Sequence, residues 1–511
     1  MRTLLLGIDS GTQSTKVLVL DARRGVVLGQ AARAYGLVPG LPAGTKEQHP
    51  RVWREAAAAA IKLALRQAGA APSQVVAIGV SAQQHGFVPL DRAGAVIRPA
   101  KLWCDTSTAA ECDALTRKLG GPDATIAELG NAILPGFTAS KILWLKRKEP
   151  KNFARLATVL LPHDYLNFWL TGNRVMEFGD ASGTALLNVR TRDWSQKALR
   201  AVDPRLPALM PPLLRSDQPA GVLAASTARQ LGLRPGVLVS AGGGDNMMGA
   251  IGTGNTRAGV VTASFGTSGT IYACSEKPVI DPRGEIAAFC DSTNRWLPLL
   301  CTMNVTLATE MVRQDFGLTH AQFDARAAQA PPGSGGLFLL PYLQGERTPS
   351  VPDGTGVWVG ANPVTFTAAH FARAALEGVT LGMNYGLRRL RQLGVKPRQI
   401  RATGGGANSR LWRQIMADVF EAEVVTLQVG EGAAYGAALQ ALWCWRLQRG
   451  ERVSISQITD EFVRLNRSQT AEPDCARARI YRELQEMQDA SSLALRGVFA
   501  QHRHFLRPRP S

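Results

Sequence analysis

Two widely separated segments of this chain repeat one local plan, and that repetition constrains the fold more than any single motif. Leu4 to Ile8 is a short apolar run that meets Asp9-Ser10-Gly11-Thr12-Gln13-Ser14-Thr15-Lys16, after which Val17 to Leu20 is apolar again. Gly259-Val260-Val261-Thr262-Ala263-Ser264 is strand-like in the same way, turns at Phe265-Gly266-Thr267-Ser268-Gly269 and resumes at Thr270-Ile271-Tyr272. Short apolar and β-branched runs broken by Gly, Ser and Thr read as strands joined by tight turns. One such hairpin says little. Two of them, each heading a half in which strands and helices follow, suggest an internal duplication. In the first half a strand is expected at Val26-Val27-Leu28, an alanine-rich helix from Ala56 to Ala68 and a buried strand from Val75 to Val80. In the second half a helix is expected from Thr367 to Leu393, a strand from Ile400 to Thr403, a helix from Ser409 to Phe420, a strand from Val424 to Thr426 and an alanine-rich helix beginning near Gly432. Strands and helices mixed in this order argue for an α/β fold.

At 511 residues the chain exceeds what one core organises, so two large domains are expected. The break is placed between residues 246 and 258, where Gly249, Gly252 and Gly254 punctuate the chain, giving domains 1–248 and 249–490 and a basic tail 491–511. Pro331 to Gly336 reads as a loop inside the second half, Lys146-Arg147-Lys148 as an exposed helix end, and the stretch around Arg503, Arg507, Pro508, Arg509 and Pro510 as a frayed terminus. Lys and Arg number 58 against 40 Asp and Glu, a net charge of +18 that would attract anionic ligands. No block of like charges is long enough to argue for nucleic acid as a partner. The seven cysteines are scattered without a CxxC pair, which suggests neither a disulfide framework nor a zinc site. The start meets Asp9 too soon for a signal-peptide core, and no uncharged apolar run approaches the ~20 residues that span a bilayer. A soluble, cytoplasmic protein without membrane partners is the expectation.

Gly242-Gly243-Gly244-Asp245-Asn246 follows the apolar run Val237 to Ala241. Three glycines strip the turn of Cβ atoms, so a ligand could approach the backbone, and Asp245 there would suit a general base. A glycine-rich turn ending in a helix-capping Asp is the competing reading. The phosphate loop G-x-x-x-x-G-K-[ST] is absent. The two Gly-Thr turns offer another cradle, because backbone N–H groups of a tight turn point together and hydroxyls beside them add donors. As a matched pair they favour phosphate contact over ordinary β-turns. Asp9 beside such a turn would repel phosphate unless a cation such as Mg²⁺ intervened, the alternative being a hydrogen-bonded turn aspartate. Gly404-Gly405-Gly406-Ala407-Asn408-Ser409 joins a strand to a helix, and its bare glycines could take a flat adenine or its ribose, or serve the turn alone. Gln83-Gln84-His85-Gly86 at a strand end offers amides and an imidazole to a polyol, and Trp103-Cys104-Asp105 offers a sugar-packing face and a carboxylate. Structural roles for His85 and Trp103 remain open on the residues alone.

Taken in order these pieces resemble the FGGY carbohydrate kinase family. The likeness runs through Gly7 to Thr12, Gln83 to Gly86, Leu134-Pro135-Gly136-Phe137-Thr138-Ala139-Ser140-Lys141, Leu161-Pro162-His163-Asp164-Tyr165-Leu166 and Asp180-Ala181-Ser182-Gly183-Thr184. It continues through Gly242 to Asn246, Ser264 to Gly269, Leu340 to Pro349 and Gly404 to Ser409. The resemblance implies two actin-like, ribonuclease-H-like domains closing over a cleft, with ATP held mostly by the second. It implies ATP- and Mg²⁺-dependent phosphorylation of the terminal hydroxyl of D-xylulose. On the same basis Asp245 matches the base and Asp9 an acid near metal and phosphates, so both are the metal-side candidates. Gln84 and His85, with Trp103 and Asn246, match the sugar side; Thr12, Gln13, Ser14, Gly266, Thr267, Gly405, Gly406 and Asn408 match the nucleotide side. A second copy of the chain is the one protein partner held open.

Three departures bear on which sugar fits. Asp105 is followed by Thr106 and Ser107 without the Arg often found there, Ser10 replaces a larger residue, and Met176-Glu177-Phe178-Gly179 lacks the usual Asp-x-Ser. The alternatives are a kinase of ribulose, L-xylulose, erythrulose or glycerol, a catalytically silent sugar sensor, and an actin- or chaperone-type ATPase. Glycerol kinases carry Arg-Glu where this chain has Gln84-His85, the sensor would lack Asp245, and the ATPase would have no use for a Gln-Gln-His edge.

Overall fold

The computed structural model describes residues 2–430 and 432–506. The chain divides into two compact units, one of Met1–Arg257, Cys274–Pro298 and Glu431–Val463, the other of Ala258–Ala273, Leu299–Gly430 and Arg464–Ser511.

The first unit is built on β1 (Leu4–Ser10), β2 (Ser14–Asp21), β3 (Val27–Ala34), β4 (Val75–Ala82), β5 (Pro219–Val222) and β6 (Leu238–Ser240), in the order β5-β6-β4-β1-β2-β3. β1, β2 and β3 pair antiparallel, β4 is parallel to β1 and to β6, and β5 is antiparallel to β6. Leu4, Leu6 and Ile8 on β1 are wholly buried and pack with Trp53, Ile61 and Ala64 of the helix Pro50–Gln67. A strand covered on both faces reads as a continuous apolar run, which is why Leu4 to Ile8 was recognisable.

Gly7 alternates with Leu6 and Ile8 and so faces the other side of the sheet. It stands opposite Gly79 of β4. A Cβ on Gly7 would fall 2.0 Å from the Ala434 carbonyl oxygen, and one on Gly79 would fall 1.9 Å from that of Ala437. The paired glycines thus let the helix Gly432–Gln448 lie directly on the sheet. That helix, expected within a domain 249–490, packs with the first unit.

The second unit repeats the scheme with β7 (Val260–Phe265), β8 (Gly269–Ala273), β9 (Trp296–Thr302), β10 (Gln399–Thr403), β11 (Glu423–Leu427) and β12 (Leu465–Ala471) along the path β9-β8-β7-β10-β11-β12. β7, β8 and β9 pair antiparallel, β10 is parallel to β7 and to β11, and β12 is antiparallel to β11. Six strands in one order with one pattern of directions occur twice. The duplication read from the two hairpins is present in the sheets.

The expected helix from Thr367 to Leu393 is Ala368–Gln392 with Thr367 as its N-cap, and that from Ser409 to Phe420 is Arg410–Phe420 capped by Ser409. Arg503 falls in a helix, Arg496–Phe505, rather than a frayed end, while Arg507, Pro508, Arg509 and Pro510 lie outside the described residues. Among the described residues no helix is long and apolar enough to cross a membrane.

Candidate active site

The ends of β1 and β4 meet in register, so Asp9 lies beside Ser81, whose Oγ donates to Asp9 Oδ1 at 2.9 Å. Gly243 and Gly244 pair in parallel with Ser81 and Ala82, and the helix Asp245–Gly252 starts at the next residue. Asp245 therefore sits in the first turn of a helix, next to the edge that carries Asp9. Its Oδ1 accepts the Asn246 backbone N–H at 2.8 Å and Asn246 Nδ2 at 3.1 Å. The capping position itself is Gly244, so Asp245 is not the helix cap. Asn246 Nδ2 also donates to Gln84 Oε1 at 2.7 Å, which ties Gln84, Asn246 and Asp245 into one row.

Burial pushes the Asp245 carboxyl up to about 8, and the negative charges of Asp9 and Asp180 add to the rise. Backbone N–H groups of Asp245 and Asn246 pull weakly the other way. Like charges in a partly dried site ionise reluctantly until a cation or a positive ligand arrives. Carboxylates brought together in this way fit Mg²⁺, which is usually held by one or two carboxylates plus phosphate oxygens and water. Among the described residues no group of three or more His, Cys, Asp or Glu could hold a metal alone, so Asp9 and Asp245 are candidates for a shared, nucleotide-completed site.

The glycines before Asp245 serve a different purpose from the one expected. A Cβ on Gly242 would fall 2.6 Å from the Val80 carbonyl oxygen, one on Gly243 2.3 Å from Ser292 Oγ, and one on Gly244 2.5 Å from Gln84 Cγ. Protein atoms already occupy the space that was expected to admit a ligand. Gly242 has φ 74°, the left-handed region that favours glycine. Its N–H and the Ser240 hydroxyl both donate to Gln440 Oε1 at 2.9 Å, and its carbonyl accepts Gln440 Nε2 at 3.0 Å. A carboxamide presents the same donor and acceptor as a peptide group, so Gln440 completes Gly242 as a neighbouring strand would.

On the edge expected to face the sugar, the Trp103 indole N–H donates to Thr12 Oγ1 at 3.0 Å, and that hydroxyl donates to Gln83 Oε1 at 3.1 Å. Thr12, expected on the nucleotide side, is thereby linked to the Trp103 edge. Gln13 is exposed at the hairpin tip, and Gly11 N–H closes the turn on the Ser14 carbonyl at 3.0 Å. His85 has φ 62°; its ring packs on Phe137 and Phe289 at centroid distances of 4.9 and 5.4 Å. A Cβ on Gly183 would lie 2.0 Å from His85 Cε1, so the glycine of the Asp180–Thr184 motif makes room for the ring. Asp105 is wholly buried and engaged by Lys101 Nζ at 3.0 Å, the Lys46 N–H at 2.9 Å and Ser107 Oγ at 2.6 Å. Both of its oxygens are engaged within the protein, so it serves the fold rather than offering a carboxylate to sugar hydroxyls.

In the second unit the Gly266-Thr267-Ser268 turn is held from behind, with the Thr306 and Val305 N–H groups donating to the Gly266 and Thr267 carbonyls at 3.0 Å each. Thr267 is exposed. Of the second glycine triplet, Gly404 and Gly406 are needed internally, a Cβ on them falling 2.6 Å from the Phe265 carbonyl oxygen and 2.8 Å from the Trp412 ring. Gly405 has no atom within 4 Å of its would-be Cβ, and Asn408 is exposed. Only Gly405 keeps the bare face that a flat ligand would use.

Sequence reasoning assigned no role to the buried groups behind Asp245. His163 lies fully buried, its Nδ1 2.8 Å from Asp180 Oδ2 and its Nε2 2.8 Å from Asp164 Oδ1. Burial opposes its charge, but the two carboxylates outweigh burial and raise its pKa well above the usual value. Glu177, pushed up to about 8 by burial, bonds Ser216 Oγ at 2.6 Å, Ser292 Oγ at 3.2 Å and the Asp180 N–H at 3.1 Å. The acids within the two motifs at 161–166 and 180–184 were the available signal.

Comparison with known proteins matches two successive stretches of the chain to one family. Residues 4–252 match the model of the FGGY family of carbohydrate kinases, N-terminal domain, and residues 261–445 match that family's C-terminal domain. A xylulose kinase of Haemophilus influenzae is 42% identical over 489 residues, covering 94% of this chain and 98% of the relative. A solved structure from Brucella ovis, described as a xyloylose kinase, superposes with a TM-score of 0.89 at 31% identity over 97% of this chain and 100% of that one. A gluconate kinase from Lactobacillus acidophilus superposes equally well, with a TM-score of 0.90 over 98% of this chain and 100% of that one. At 23% identity that likeness speaks for the fold alone.

Proposed function

Because the chain belongs to the FGGY family of carbohydrate kinases, we propose that it transfers the γ-phosphate of ATP to the terminal hydroxyl of D-xylulose. The product is D-xylulose 5-phosphate, and Asp245 is the general base. The observation that carries this reading is the Asp245 carboxyl at the helix start, raised to about 8 and aligned with Asn246 and Gln84. A base whose pKa lies near the working pH accepts a hydroxyl proton better than an ordinary aspartate. The hydroxyl oxygen bonds to the γ-phosphorus, the bond from phosphorus to the β–γ bridging oxygen breaks, and the proton passes to Asp245. Such a transition state is loose, so positioning and charge neutralisation supply most of the rate. When bound with the nucleotide, Mg²⁺ supplies neutralisation beside Asp9 and Asp245.

Gln84, His85, Trp103 and Asn246 orient the sugar in this account. Thr12, Gln13, Ser14, Gly266, Thr267, Gly405, Gly406 and Asn408 serve the nucleotide. D-Xylulose as acceptor is supported by the name of the 42% identical relative and by Gln84-His85 standing where glycerol kinases carry Arg-Glu. The seven free cysteines support a reducing, cytoplasmic setting. A panel of ketoses and polyols in a coupled ADP assay tests the reading. D-Xylulose should support turnover at the lowest concentration; preference for another acceptor would replace the substrate, and ADP release without any sugar would overturn the kinase account.

A further inference from the structure

Lys141, on the helix Thr138–Lys148, has no exposed surface. Its Nζ donates to the His85 carbonyl at 2.7 Å and to the Gly136 carbonyl at 2.6 Å. Thr138, one turn earlier on the same helix face, donates its Oγ1 to the same His85 carbonyl at 3.2 Å. Burial of the amine is the largest influence on it and pulls its pKa down to about 7. Burying an amine against neutral carbonyls is costly, so stability alone does not account for a lysine here.

What the amine holds is informative. His85 adopts φ 62°, a backbone region disfavoured for residues other than glycine and sustained only where surroundings enforce it. Gly136 packs so closely on the Trp103 peptide that a Cβ would fall 2.7 Å from the Trp103 carbonyl oxygen. One nitrogen therefore grips both the His85 peptide and the loop that braces Trp103. These are two side chains assigned above to the sugar.

We propose that Lys141 is a positioning residue for the sugar-binding edge, fixing His85 directly and Trp103 through Gly136. The proposal rests on the reading that His85 and Trp103 contact the sugar. Its test uses the full-length enzyme as wild type, Lys141→Met, Thr138→Val and the double variant. In Lys141→Met the KM for the accepted sugar rises about tenfold or more, while the KM for ATP stays within about twofold, as expected when reacting groups are misplaced rather than removed. Thr138→Val moves sugar KM the same way but less. The double variant falls short of the product of the single effects, because both donors act on one carbonyl. In ¹⁵N-histidine spectra the His85 signal, identified by its loss in His85→Gln, shifts in both single variants.

A sugar KM unchanged in folded Lys141→Met, or sugar and ATP constants rising together, would overturn the proposal. Should Lys141→Met fail to fold, Thr138→Val decides by the same two readouts. Failure of the kinase reading is distinguishable: the wild type would then show no sugar-dependent ADP release while the His85 signal still moved.

Discussion

At position 245 a carboxyl sits beside Asp9 and Asp180, and repulsion between like charges adds to burial in lifting its pKa to about 8. The ionised form is the one that accepts a proton, so kcat/KM for the sugar should rise with pH and reach half its plateau near 8 in free enzyme. Raising Mg²⁺ should move that limb to lower pH. Asp180→Asn removes one of the repelling charges and should shift it in the same direction; a limb unmoved in that variant would detach Asp180 from the base. Stability runs the opposite way. The folded pKa lies above the ordinary value of 3.8, so this group favours the folded state at low pH and loses that contribution as pH rises through 8. Asp245→Asn should accordingly melt higher than wild type above pH 8, with the gap closing toward pH 4, as thermal melts across that range would show. The acid at 245 was legible because a lone carboxylate after three glycines invites attention. The reason for the glycines was not, since the atoms they avoid, from Val80, Ser292 and Gln84, come from elsewhere in the chain.

Among the elements, the helix Gly432–Gln448 best shows what local sequence hides. Its alanine-rich composition announced a helix, but its place on the sheet of β1 and β4 depends on Gly7 and Gly79 meeting across two strands, a pairing between residues far apart in the chain. Gly436 makes a similar approach to the helix Asp245–Gly252, where a Cβ would fall 1.8 Å from the Met248 carbonyl oxygen. Gly436→Ala should therefore destabilise by about 1–3 kcal/mol, read from denaturant midpoints. Gln440 on the same helix braces Gly242, whose turn leads into Asp245. Gln440→Met keeps the side-chain length and loses all three hydrogen bonds; kcat should fall about 10-fold or more, with the KM for ATP nearly unchanged. By contrast the two Gly-Thr hairpins were legible outright, because a hairpin's signature lies within a dozen residues.

For the molecule as a whole, the duplication visible in those hairpins extends to two seven-stranded sheets that share a path of six strands with the same order and directions. What the sequence could not partition was the chain between them: Cys274–Pro298 and Glu431–Val463 return to the first unit, a consequence of packing that no linear boundary expresses. The buried group of His163, Asp164, Asp180 and Glu177 was equally illegible in function, because the His163–Asp180 pair that unites it joins motifs that are separate in sequence. Family membership fixes the chemistry as carbohydrate phosphorylation, and in the function proposed above the choice of acceptor falls to the groups on the Gln84–His85 and Trp103 edge. The most direct test of the central claim is ADP formation by wild type and Asp245→Asn with D-xylulose, alongside binding of a non-hydrolysable ATP analogue. The account predicts a fall of about 10²–10⁴ in turnover with nucleotide binding kept; full turnover in the folded variant would contradict it.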